Sequence, residues 1–150
     1  MVDATCGNGH DTLELARLVL PADGSTGGKG LVVGVDIQEP AVANTRQRLQ
    51  AQLSEEQLQL TRVYQGCHSD LEQYLPQELF AGQRVRMVCF NLGYLPGSDK
   101  SIITTHRTTL EALKSALACL DIDGLISIMG ECLPRRSHAV LPILFACRIL

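Results

Sequence analysis

A chain of 150 residues, 45% of them hydrophobic, with a mean hydropathy of +0.09, has the size and apolar content of a single soluble domain, which excludes a wholly disordered segment. Its formal net charge of -3 excludes adhesion to nucleic acid or anionic lipid as a property of the whole chain. Only a local basic patch could serve that purpose.

In chain order, the first apolar residues give way at once to V-D-A-T-C-G-N-G-H-D, Val2 to Asp11. Asp11 with Glu14 reads as a capping box that opens a helix through Leu13, Ala16 and Leu20, stopped by Pro21. The polar loop Asp23 to Gly30 leads into L-V-V-G-V-D, a strand ending at Asp36. Its lack of alternation predicts cover on both faces. Pro40 suits the first turn of a second helix, whose Val42, Thr45, Leu49 and Leu53 form one face. Leu58 to Tyr64 reads as a third strand, with a short helix after it around Leu71 and Leu75. Val85 to Phe90 is the next buried strand, ending at Asn91. A long helix from Ser101 to Leu120 carries Leu110, Leu113 and Leu117, and Asp123-Gly124 turns it into a strand at Leu125 to Met129. The βαβ order predicts an α/β fold with a doubly wound, mostly parallel sheet, in one domain spanning residues 1–150.

Six cysteines are widely spaced without a C-x-x-C pair, and most lie in apolar runs. They read as buried free thiols in a reducing compartment. No apolar run is long enough for a membrane span and no signal region opens the chain, so a cytoplasmic protein without membrane partners is expected, or an organellar one if an upstream targeting segment is missing. His10 and His106 lack partners at metal spacing, and no metal is expected.

In an open parallel sheet, ligands bind beyond the carboxyl ends of the strands. The polar residues collect there: Asp3 to Asp11, Asp36-Ile37-Gln38, Cys67-His68-Ser69, and Asn91-Leu92-Gly93-Tyr94. Gly7 and Gly9 allow a sharp turn and close approach of a ligand. A dinucleotide fingerprint needs a third glycine, and Thr12 stands in its place. Asp36 has the offset of an acid that accepts hydrogen bonds from ribose hydroxyls, although capping the next helix is its other reading. Asp3 suits a cationic ligand better than a phosphate. Two acids facing one small ligand favour S-adenosylmethionine over a nicotinamide dinucleotide. At the fourth strand end, the Asn91 amide and nearby carbonyls can orient an amine while the Tyr94 ring packs on a planar substrate. A plain chain reversal at Gly93 and Pro96 is the competing reading.

D-A-T-C-G-N-G-H-D-T at Asp3 to Thr12, V-D-I-Q at Val35 to Gln38 and F-N-L-G-Y-L-P-G-S-D-K at Phe90 to Lys100 together resemble the rRNA methylase family, from Val2 to about Met129. The resemblance implies a Rossmann-like class I methyltransferase fold, S-adenosylmethionine as methyl donor and, as in the bacterial tRNA 5-aminomethyl-2-thiouridine methyltransferases, an exocyclic amine on the tRNA wobble uridine as acceptor. It places Asn8, Asp11, Asp36, Gln38 and His68 along the donor site, beside Asp3, Gly7, Gly9 and Ser69, with Asn91 and Tyr94 facing the amine. His68 or water would accept the amine's proton; a strand-end surface histidine is its alternative role. Because Arg62, Arg84, Arg86, Lys100, Arg135 and Arg136 are scattered, a solvated surface explains them as well as RNA contact does.

Rival functions are an oxidoreductase using a nicotinamide dinucleotide, a donor-binding protein without turnover, and a methyltransferase acting on another RNA, a protein or a small amine. Residues 130–150 depart from the family pattern, and Pro134 and Pro142 argue against one regular helix there. The closing hairpin is therefore expected to be missing, leaving the fifth strand with an unpaired edge that invites association, a homodimer included. These ends read as those of a chain truncated at both termini, poorly stable and weakly active alone.

Overall fold

The computed structural model describes residues 1–20, 30–76, 85–92, 106–132 and 139–146. The chain folds as two units, Met1–His68 and Ser69–Leu150. In both, strands and helices alternate in an α/β arrangement.

In the first unit, β1 (Val2–Asp3), α1 (His10–Val19), β2 (Val32–Asp36), α2 (Glu39–Gln52), α3 (Glu55–Gln59) and β3 (Thr61–Gln65) follow one another. β2 pairs in parallel with both neighbours, Val33 standing opposite Val2 on one side and Arg62 on the other. Val32, Val33 and Val35 are all buried, so successive side chains are covered on both faces, as the unbroken apolar run predicts. Pro40 lies in the first turn of α2, where its missing N–H costs nothing, and Val42, Thr45 and Leu49 turn inward.

Two local expectations are corrected in this unit. The capping box of Asp11 and Glu14 does not form: α1 starts from Gly9 in a left-handed conformation, without a side-chain cap, and Asp11 sits inside the first turn. Glu14 pairs instead with Arg17 at 2.9 Å. Ser54 and Gln57 form the capping box that the chain does contain, opening α3 and delaying β3 to Thr61. Gln57 also donates through Nε2 to the Leu20 carbonyl at 2.8 Å, satisfying the end of α1. Pro21 and the loop through residue 29 lie outside the described residues.

A 3₁₀ segment, His68–Tyr74, kinked at Asp70, leads into the second unit and buries Leu71. There β4 (Val85–Leu92), α4 (His106–Cys119), β5 (Leu120–Cys132) and β6 (Ala139–Ala146) follow. β4 and β5 run parallel, with Asn91 opposite Met129. β5 starts at Leu120, directly after α4, so Asp123-Gly124, expected to turn the helix into a strand at Leu125, lies instead inside β5, where Asp123 has φ 60° and the register with β4 shifts.

In α4, Leu110 and Leu117 are exposed, whereas Ala112, Ala116 and Cys119 are buried. Small residues at helical spacing let the helix axis approach its neighbours more closely than a leucine stripe would. The edge of β5 is also not bare, because β6 pairs with it antiparallel from Cys132↔Ala139 to Leu125↔Ala146. The expected loss of the closing hairpin fails for this strand, and Pro142 is accommodated because β6 pairs on one side only among the described residues. No helix among the described residues is long and apolar enough to cross a membrane.

Candidate functional site

The turn after β1 is built from backbone bonds that its two glycines permit. Cys6 N–H donates to the Val35 carbonyl at 2.9 Å and Gly9 N–H to the Cys6 carbonyl at 2.7 Å. Gly7 and Gly9 have φ 50° and 78°, in the left-handed region. At Gly9 the tight approach is to the protein itself, not to a ligand: a Cβ there would lie 2.8 Å from Thr45 Cα.

Asp36 ties three strand ends together. Its Oδ2 accepts the Gly7 N–H and its Oδ1 the Gln38 N–H, each at 2.9 Å, while its carbonyl accepts from Gly66 N–H at 2.8 Å. The Asp36 side chain does not cap α2, whose N-cap is Gln38. It is half-buried, and each carboxylate oxygen retains a lone pair beyond its backbone bond.

Asp3 lies beneath the turn and not at its ligand face. It is 1% exposed, accepting from Thr12 Oγ1 at 2.5 Å and Thr5 N–H at 3.3 Å. Burial pushes its carboxyl up to about 6, against the lowering effect of those two bonds, with Asp11 and Asp36 adding repulsion. In this arrangement Asp3 fastens α1 to β1 through Thr12. Burial, then the Asp3 charge, push the Cys6 thiol up to about 12, so it is an inert core group at neutral pH. Cys6, Cys67, Cys89 and Cys119 are free thiols.

Thr12 explains the absent third glycine. Its methyl and hydroxyl would lie 3.4 Å from a Cβ added at Gly34, so the glycine that permits close helix–strand contact stands on β2 and not on α1. That exchange leaves the Thr12 hydroxyl available to Asp3.

Three α2 residues hold the turn from outside: Asn44 Nδ2 donates to Asn8 Oδ1 at 3.0 Å, Thr45 Oγ1 to the Gly7 carbonyl at 2.9 Å and Arg48 Nε to the Asn8 carbonyl at 2.7 Å. Thr45 belongs to the face expected of α2, whereas nothing in the sequence marks Asn44 or Arg48.

Of the expected site residues, Gly7 and Gln38 are joined through the Asp36 carboxylate, Gly9 closes the same turn on the Cys6 carbonyl and Asn8 is held by Asn44 and Arg48, while Asp3 bonds Thr5 and Thr12. Asp11 is exposed on the first turn of α1. His68 follows β3, half-buried; burial holds its imidazole below the usual range, with the Asp36 charge opposing. Ser69 belongs to the second unit, where it lines an open groove of about 550 Å³ with Asp70, Glu72, Glu111 and Lys114. Asn91 is exposed near the end of β4. Tyr94 lies outside the described residues, as do Arg84, Lys100, Arg135 and Arg136. Among the described residues no group of three His, Cys, Asp or Glu side chains could hold a metal ion.

Comparison with known proteins adds an independent line. A family model described as "Putative rRNA methylase" matches residues 32–130. The chain is 43% identical over 129 residues to the chloroplastic tRNA (mnm(5)s(2)U34)-methyltransferase of Arabidopsis thaliana, covering 86% of this chain and 45% of the relative. A crystal structure described as a "putative rRNA-methylase" from Clostridium thermocellum superposes with a TM-score of 0.70 at 38% identity, covering 85% of this chain and 60% of that one. One described as a "putative methyltransferase" from Streptococcus mutans in complex with SAH gives a TM-score of 0.63 at 35% identity with the same coverage. This chain therefore spans about half the length of the curated relative it matches. With a matched segment that runs from β2 to β5 and a turn built as described, the chain belongs to the rRNA methylase family.

Proposed function

We propose that this chain forms the donor-binding part of an S-adenosylmethionine-dependent methyltransferase whose acceptor is an exocyclic amine, that of 5-aminomethyl-2-thiouridine at the tRNA wobble position. The observation that carries the donor reading is Asp36: a half-buried carboxylate at a strand's carboxyl end, braced by Gly7 and Gln38 with a lone pair left on each oxygen. That donor set fits the two hydroxyls of a ribose. The acceptor reading is supported by the name of the Arabidopsis relative, a tRNA (mnm(5)s(2)U34)-methyltransferase.

When bound, the donor supplies an electrophilic methyl group on a sulfonium. The chain's own residues bind and orient. Asp36 takes the ribose, with Asn8, Asp11, Gln38 and His68 lining the rest of the donor site and the Gly7–Gly9 backbone beneath it. Asn91, through its amide oxygen, accepts an N–H of the amine and turns the nitrogen lone pair toward the methyl group, while Tyr94 packs on the base. An alkylammonium has no lone pair, so its proton must leave first. His68, kept neutral at pH 7 by burial, is in the state that accepts a proton, and water shares that role.

Methyl transfer to bulk tRNA, followed by nucleoside analysis, tests the whole reading; labelled tRNA with the methyl on the wobble uridine amine is the expected product, and transfer to another nucleoside would refute the acceptor. Asp36→Ala should weaken donor binding by about 2 to 3 kcal/mol, the worth of a charge-assisted two-point contact. Unchanged affinity by calorimetry would remove the ribose assignment. Asn91→Ala should leave donor affinity within about twofold and lower turnover by roughly tenfold or more, since the amide orients the nucleophile only. Equal losses in both would make the loop structural.

A further inference from the structure

The polar face of α2 meets the Gly7–Gly9 turn with no space to spare. A Cβ on Gly9 would lie 2.8 to 2.9 Å from Thr45 Cα, Cγ2 and Oγ1, and three acceptors of the turn have α2 partners. Asn44 takes the Asn8 side chain, Thr45 the Gly7 carbonyl and Arg48 the Asn8 carbonyl. Arg48 reaches further, its second nitrogen lying 3.0 Å from His10 Nε2. A guanidinium only donates, so this contact is a hydrogen bond when His10 Nε2 carries no proton. Arg48 therefore joins the Asn8 carbonyl in the turn to the first residue of α1.

We infer that Arg48 is a positioning residue for the donor site, resting on the donor reading above: it fixes the Asn8 peptide and the start of α1 so that the Gly7 and Gly9 backbone and Asp36 keep their binding arrangement in the free protein. Arg48 is half-buried with its guanidinium engaged on two partners, so its rotamers are already restricted before any ligand arrives. Pre-organisation of this type raises affinity by removing the ordering cost from the binding step. A solvated surface arginine would have no such effect.

Arg48→Met keeps most of the aliphatic stem and removes both bonds, and Arg48→Lys can restore a single donor to the Asn8 carbonyl. Two readouts are needed. Amide hydrogen exchange on the unliganded chain should show Gly7 and Gly9 exchanging roughly tenfold faster in Arg48→Met, with the Leu49 and Leu53 amides unchanged and Arg48→Lys in between. Affinity for S-adenosylhomocysteine, measured well below the unfolding temperature, should fall about fivefold to tenfold in Arg48→Met and be partly recovered in Arg48→Lys. Uniformly faster exchange across α2 in the methionine variant would reduce Arg48 to a general stability role and overturn the inference. So would unchanged affinity in a variant whose wild type binds. A wild type that fails to bind either ligand while Gly7 and Gly9 still respond to Arg48 would leave the latch standing and refute the donor reading instead.

Discussion

Gly9→Ala is expected to destabilise the chain by about 3 to 4 kcal/mol, more than any other single methyl addition in the turn. Two costs add at this position. A φ of 78° places an L-residue in the left-handed region, worth about 1 to 2 kcal/mol. The new Cβ would also overlap Thr45, at 2.8 Å from the backbone Cα, and backbone cannot rotate away as a side-chain tip can; overpacking of this type costs about 1 to 3 kcal/mol. Gly7→Ala, at φ 50°, should cost only the conformational share, about 1 to 2 kcal/mol. Urea unfolding of the two variants separates these costs, and equal losses would show that α2 yields to the turn. In Gly9→Ala, α2 can relieve the overlap only by withdrawing. The bonds from Asn44, Thr45 and Arg48 would then lengthen together, and donor affinity should fall with stability.

The contrast between these glycines shows how far the sequence could be read. That the turn needs glycines followed from two of them after a strand, but the reason at Gly9 is a helix about forty residues away, and no local pattern announces it. Asn44 and Arg48 look like any solvated pair on a helix surface; only their contact with Asn8 distinguishes them. β2 and α2 were legible because an unbroken valine run and a proline at a helix start each have one cheap structural solution. Which face of α4 is buried did not follow from its three leucines: Ala112 and Ala116 are buried, whereas Leu110 and Leu117 are exposed. Pro142, taken as a helix breaker, is equally acceptable in a strand that pairs on one side, as β6 does against β5 among the described residues. The Ser54–Gln57 capping box was present as an S-x-x-Q signature and was passed over because the apolar residues after it suggested a strand. Of the proposed site, Asp36 stood out in the sequence by its offset; its bracing by Gly7 N–H is a tertiary fact.

Asp3→Asn should remove a pH dependence that the wild-type chain carries. The Asp3 carboxyl rises from 3.8 to about 6 on folding, chiefly because burial disfavours its charge. Between these values the folded chain binds more protons than the unfolded chain, so stability falls as pH rises. The contribution is complete below pH 3.8 and lost once pH has passed through about 6; a shift of this size is worth about 3 kcal/mol. His68 runs the other way, since its lowered value gives stability that is present above the ordinary imidazole range and lost in acid. The useful quantity is therefore the difference between Asp3→Asn and wild type, which cancels His68. Relative to wild type, Asp3→Asn should gain about 2 to 3 kcal/mol between pH 4 and pH 7.5, because the amide carries no charge to desolvate, its oxygen accepting the Thr5 N–H and its NH2 donating to the Thr12 hydroxyl. Asp3→Ala should instead lose stability throughout, since it strands the Thr12 hydroxyl beside a cavity. A pH-independent difference for Asp3→Asn would mean that the carboxyl is not desolvated in solution. Donor affinity supplies the functional half of the test: an acid that only fastens α1 to β1 can become an amide with affinity kept within about threefold, whereas a carboxylate touching a ligand ammonium would lose tenfold or more. At 1% exposure, with Thr12 on one oxygen and Thr5 on the other, the first outcome is expected.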